Sequence, residues 1–208
     1  MTALSALSLL LVLTTAMPAA AREPMALGVS VPNGRDMQVL DDFTADIGGN
    51  QPALWSIWSQ WGSRGGQSSC VPGKGTCYFP HTALDGLADR GVMGVVWWEP
   101  IDPSKGFYQN QRWARHKKTY KLGRNDAYIR KWAQEAKKFG EDPDHPGAKI
   151  ILRFAHEANG TWFPWTVGVW DNTPYTFKKF WRYVWNIFKQ EGALPYVDFL
   201  WSVTKKSC

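Results

Sequence analysis

The sequence predicts an α/β fold built on a parallel sheet with right-handed crossovers. Three observations predict it. Apolar runs of strand length recur at 92–98, 150–152 and 197–203, and segments with apolar residues at helical spacing separate them. Two of the runs end in a carboxyl beside aromatics, at Trp98-Glu99-Pro100 and at His156-Glu157. The order is β-α repeated four times and then a fifth strand, the pattern whose crossovers place helices over the faces of a parallel sheet.

The elements follow in chain order. Residues 1–21 read as a secretory signal, with an apolar stretch from Leu4 to Leu13 and the small residues Ala19-Ala20-Ala21 that suit an A-x-A cleavage site. The apolar run is too short to span a bilayer, so the 22–208 chain is expected to be soluble and exported, extracellular or periplasmic. Leu27 to Val31 is a strand ending at Pro32-Asn33-Gly34, and Met37, Leu40, Phe43 and Ile47 then recur at helical spacing up to Gly48-Gly49. A second strand runs from Ala53 to Trp61. Trp55, Trp58 and Trp61 are three apart and cannot share one strand face, and Trp61, nearest the C-terminal end, is expected to face substrate. Cys70 and Cys77 enclose a Gly/Pro/Ser-rich loop and are expected to form a disulfide in an exported protein, which leaves Cys208 as the odd cysteine.

Thr82 to Asp85 offers a capping-box pattern for a helix running to Arg90-Gly91. The third strand, Val92 to Trp98, ends at Glu99, which reads either as a substrate contact or as a rim residue paired with Arg153. Residues 101–125 read as a long loop whose Tyr108, Trp113 and Tyr120 either line a groove or pack the loop down. Asn125-Asp126 is expected to cap a helix carrying Ile129, Trp132, Ala133 and Ala136 on one face. Phe177, Phe180, Trp181, Val184, Trp185 and Phe188 mark a second helix, with Gly192 as its stop. Val197 to Val203 is the fifth strand.

The chemistry concentrates in Lys149 to Trp165. A buried strand ends there in His156-Glu157, followed by Asn159-Gly160 and by Trp162, Phe163 and Trp165. A carboxyl at the C-terminal end of such a strand can be partly desolvated and its pKa raised, which suits a general acid. Flat aromatic faces suit the C–H side of a sugar ring, and His156 and Asn159 carry groups that bond hydroxyls. A glutamate after a strand can equally be a solvated loop residue. Here the whole constellation points to a glycosidase. A zinc protease motif is excluded, because the second histidine it needs would fall at Gly160.

Arg153, His156, Glu157, Asn159, Gly160, Trp162, Phe163 and Trp165 stand in register with R-x-x-H-E-x-N-G-x-W-[FY]-x-W, and the stretch resembles the signature of glycoside hydrolase family 26. The resemblance implies a (β/α)8 barrel and a retaining endo-β-glycanase, β-1,4-mannan being the leading substrate and mixed-linkage β-glucan the alternative. It makes Glu157 the acid/base at the end of the fourth strand, with His156 beside it and Trp162 at the cleavage subsite. Trp165, Trp98, Glu99 and Trp61 complete the expected substrate contacts. The family's mannanases commonly carry His where Trp98 or Glu99 stands, and the W-E-P form resembles lichenase-like members and members of unassigned specificity. The resemblance also places the nucleophile on a seventh strand. Five predicted strands, in a chain shorter than the roughly 250 residues of a typical barrel, imply a barrel truncated after about the fifth strand and inactive alone. A glycan-binding module without catalysis, or an inactive remnant, are the rival readings.

Composition agrees with one globular domain, 44% hydrophobic and 20% charged over 208 residues. Thirteen Trp residues are compatible with a carbohydrate cleft as well as with a core. The net charge of +6 is scattered over helix faces and loops, with no nucleic-acid motif. No metal or cofactor motif is present, and the expected partner is a polysaccharide. The Asn159-Gly160-Thr161 sequon lies in the predicted cleft and reads as chemistry rather than as a glycan acceptor.

Overall fold

The computed structural model describes residues 26–32, 34–61, 79–101 and 114–205, and the backbone of 70–71 and 76–77. The signal-like segment 1–21, Tyr108, Trp113, Cys208 and the side chains of Cys70 and Cys77 lie outside the described residues.

Five strands form one parallel sheet in the order β1 (Gly28–Val29), β2 (Leu54–Gln60), β5 (Met93–Glu99), β6 (Ile150–Phe154) and β7 (Val197–Phe199). Helices α1 (Met37–Asp46), α2 (His81–Ala88), α4 (Asp126–Gly140) and α5 (Pro174–Gln190) form the crossovers. A small antiparallel pair, β3 (Cys70–Val71) and β4 (Thr76–Cys77), sets Cys70 opposite Cys77. The expected β-α order therefore holds, with a short helix α3 (His116–Tyr120) inside the stretch read as a loop.

Alternation along the strands divides the residues between two faces. Ile57, Val96 and Leu152 are register partners on the face that meets the helices, all fully buried. Trp61, Trp98 and Phe154 continue that face toward the C-terminal ends. Trp98 lies 4.7 Å from Trp132 of α4 and 5.7 Å from Phe188 of α5, and Trp61 lies 4.7 Å from Trp98. Both Trp61 and Trp98 have no solvent exposure. They are core, and the expectation that they contact substrate is corrected: counting in twos from Ile57 puts Trp61 behind the sheet, and counting from Val96 does the same to Trp98. The opposite face carries Trp58, Trp97 and Arg153 as one row of register partners.

Helix α5 starts at a capping box in which Thr173 and Thr176 exchange side-chain and backbone bonds, with Pro174 in the first turn. Helix α2 departs from expectation. It begins at His81, Pro80 O accepts from Leu84 N, and no side chain caps it, so Thr82 falls inside the first turn. Helix α4 starts where expected, with Asn125 at the cap position, although its side chain makes no capping bond and Nδ2 donates to Thr119 Oγ1 at 2.7 Å. β7 ends at Phe199, sooner than the apolar run, with Leu152 of β6 as its last register partner.

Replacing Trp98 by Ala is expected to cost about 3 to 5 kcal/mol of stability, the range for a fully buried aromatic. Urea unfolding checks it, and a loss below about 1 kcal/mol contradicts the core placement.

Candidate active site

β6 delivers the site by ending abruptly. Ala155 and Glu157 take left-handed backbone conformations, φ 45° and 53°, which cost a non-glycine residue roughly 1–2 kcal/mol each. Three backbone bonds hold the turn: Ala155 N–H to Trp98 O at 3.1 Å, Glu157 N–H to Ser202 O at 3.0 Å, and Gly160 N–H to Glu157 O at 2.8 Å. Strain fixed in this way at the mouth of a parallel sheet is characteristic of functional positions.

The Glu157 carboxyl is held from two sides. Trp162 Nε1 donates to Oε2 at 3.1 Å, and Arg153 Nη2 approaches Oε1 at 3.4 Å. Its side chain is 23% exposed, enough for a ligand atom to reach. Arg153 is itself fixed by a bond from Nε to Ser202 Oγ at 2.8 Å and by Trp97, whose ring lies 3.7 Å below the guanidinium carbon. Trp162 is 44% exposed beside this carboxyl. Its indole passes over Gly160, where an added Cβ would sit 2.8 Å from the ring, so only glycine lets the platform settle there.

His156 is fully buried in a box of rings: Trp97 at 4.8 Å, Phe163 at 4.7 Å, Trp165 at 5.4 Å and Trp58 at 5.9 Å. Neither ring nitrogen has a hydrogen-bond partner among the described residues. Burial, and secondarily the Arg153 charge, pushes its pKa down to about 3. Glu99 lies behind it, 4% exposed, with Oε2 accepting from Gln60 Nε2 at 2.7 Å and Oε1 3.9 Å from His156 Nε2. Burial pushes Glu99 up to about 7 against the smaller opposing pull of Gln60. Both groups are therefore neutral in mildly acidic solution, and the 3.9 Å approach is not an ion pair there. Glu99 pairs with Gln60 and not with Arg153, which corrects the rim-pair reading.

One further expected contact is also corrected. Trp165 has no exposure; it stacks on Phe163 at 4.4 Å and 9° and donates Nε1 to His156 O at 2.8 Å, so it supports the loop from beneath. Asn159 stays exposed, and its amide is engaged on the chain: Oδ1 accepts from Thr204 N at 2.9 Å and Nδ2 donates to Thr204 O at 2.7 Å. The structure also adds residues that the sequence reading passed over. Trp58, Trp97 and Gln60 face the site, and the alternation of β2 and β5 was the available signal. His116 had none: it is buried, bonds Trp165 O at 2.9 Å and Thr176 Oγ1 at 3.0 Å, and burial pushes its pKa down to about 4.

The model of glycosyl hydrolase family 26 matches residues 97–207, more than half of the chain and the whole of this site. The chain belongs to glycosyl hydrolase family 26. Endoglucanase H of Acetivibrio thermocellus is 32% identical over 111 residues, which are 52% of this chain and 10% of that protein. Two solved structures are similar in fold. GH26A from Muricauda sp. MAR_2010_75 gives a TM-score of 0.57 at 17% identity, covering 86% of this chain and 56% of its own. A family 26 β-mannanase from Bacteroides ovatus gives 0.54 at 18% identity, covering 76% and 46%. The chain thus spans about half the length of these structures and a tenth of the endoglucanase. Its parallel sheet and helices are those of a family 26 (β/α)8 barrel over part of the barrel's length.

The buried titratable groups of this family 26 site give stability a defined pH dependence. Glu99 keeps its proton in the folded state up to about pH 7, whereas the unfolded chain loses it near 4.5. Its contribution is complete below pH 4.5 and is lost as pH rises through 7. His156 acts with opposite sign: its contribution is present above pH 6.5 and is lost as pH falls toward 3. Glu99→Gln cannot ionise, so between pH 4.5 and pH 8 it should gain on the order of 3 kcal/mol relative to the parent in urea unfolding. A stability difference that is flat with pH contradicts a neutral buried Glu99.

Proposed function

We propose that the protein acts in retaining endo-hydrolysis of a β-linked polysaccharide, with Glu157 as the proton donor. The observation that carries this is the carboxyl held at the C-terminal end of β6 beside the exposed ring of Trp162. Glu157 protonates the leaving glycosidic oxygen and later takes a proton from the attacking water. Trp162 carries the apolar face of one sugar, and its indole N–H and Arg153 hold the carboxylate in the aim that transfer needs.

Retention requires a second carboxyl about 5 Å from the first. In the family this nucleophile belongs to a seventh strand, so residues 22–208 by themselves bind glycan without turning it over. Mixed-linkage β-glucan is the first substrate, supported by the similarity to an endoglucanase and by Trp98-Glu99-Pro100 at the end of β5. β-1,4-Mannan is the second. Export, and a Cys70–Cys77 disulfide supported by their cross-strand pairing, belong to the same reading.

Affinity electrophoresis of the purified chain in lichenan and in mannan tests the binding step, and reducing-sugar release tests turnover. The expected result is retardation in lichenan, weakened about tenfold in Trp162→Ala, with no sugar released. In a longer chain that hydrolyses β-glucan, Glu157→Gln should lower kcat by about 10² to 10⁴. Turnover indifferent to Glu157→Gln contradicts the assignment of the proton donor.

A further inference from the structure

Beyond Phe199 the chain leaves the sheet ladder and is taken up by the loop that carries Glu157. Leu200 N–H still bonds Leu152 O at 2.9 Å, the last step of strand pairing. Glu157 N–H then bonds Ser202 O at 3.0 Å, and two residues further on the partner of Thr204 is the side chain of Asn159. A carboxamide presents one carbonyl and one N–H in a plane, as a peptide group does. Asn159 uses both at once on the two backbone groups of Thr204, 2.9 Å to N and 2.7 Å to O. No other uncharged side chain of its length can make this two-point contact, and aspartate lacks the donor.

We propose that Asn159 is a positioning residue whose side chain imitates a strand, clasping residues 202–204 so that their backbone holds Glu157 in its left-handed conformation. The proposal rests on the reading of Glu157 as the proton donor. The clasp serves that carboxyl twice. Through Ser202 O it fixes the Glu157 backbone, and through Ser202 Oγ it anchors Arg153 Nε, whose Nη2 reaches Glu157 Oε1. The same pairing engages the amide of the Asn159-Gly160-Thr161 sequon, with Nδ2 donating one of its two N–H groups to Thr204 O.

Amide exchange followed by NMR on the purified chain, with lichenan binding and a thermal melt of the same samples, tests this. In Asn159→Ala the Glu157 and Thr204 amides should exchange at least tenfold faster while the amides of β2 and β5 keep their rates. Affinity for lichenan should fall about tenfold and the melting temperature should move little. Asn159→Asp keeps the acceptor for Thr204 N–H and sets a carboxylate oxygen against Thr204 O, so it should protect Thr204 better than alanine does yet still weaken binding. Unchanged exchange at Glu157 in both variants overturns the clasp, as does faster exchange with unchanged affinity. A parent chain that binds no glycan counts against the proposed function alone, and the exchange rates still judge the clasp.

Discussion

The register of the parallel ladder is the constraint on which everything else in this molecule depends. Because neighbouring strands are locked Trp58 to Trp97 to Arg153, one row of the sheet gathers two indoles and a guanidinium under the acid loop. The adjacent residues Ile57, Val96 and Leu152 are turned at the same time into the helix layer. A slip of one residue on any strand would exchange these sets, burying a cation among α4 and α5 and exposing an apolar row. The aromatic wealth of the chain therefore serves two purposes that the ladder keeps apart: Trp61, Trp98 and Trp132 weld sheet to helices, while Trp58, Trp97 and Trp162 shape the surface around Glu157.

On that base the site is assembled by a strand that stops and a loop that is held under strain. Two left-handed residues, Ala155 and Glu157, reverse the chain within one turn of the strand end. The cost is met by partners from β5 and from the segment after β7, so the placement of Glu157 depends on strands on both sides of its own. Beneath the loop, His116 ties α3 and the start of α5 to Trp165, and Trp165 in turn holds the backbone of His156. In mildly acidic solution neutral His156 and protonated Glu99 extend this support into a polar floor kept uncharged by burial. Among the described residues, the Arg153 guanidinium is the charged group that reaches the Glu157 carboxyl.

Much of this was legible in the sequence, and the reasons for the exceptions are physical. The spacing over 126–140 and 174–190 declares amphipathic helices by its period, and the apolar runs at 92–98 and 150–152 declare buried strands by their short length and β-branched content. The signature from Arg153 to Trp165 marks the candidate site. What could not be read was the phase of an alternation when both faces carry tryptophan: Trp58 and Trp61 differ in role although nothing in their types distinguishes them. Partners brought from far along the chain were equally hidden. Asn159 meets Thr204 across 45 positions and His116 meets Trp165 across 49, and no local pattern encodes either. The start of α2 was hidden as well: the Thr82 pattern falls inside its first turn, and Pro80 stands at the cap position.

The central claim is that the end of β6 presents a proton donor and a ring platform to one glycosidic bond. A crystal structure of the Glu157→Gln chain with a mixed-linkage β-glucan oligosaccharide tests it most directly. The account predicts a sugar ring lying on Trp162 with a glycosidic oxygen within hydrogen-bond distance of the residue 157 side chain. An oligosaccharide bound at another surface, or one whose glycosidic oxygens all stand away from residue 157, contradicts it.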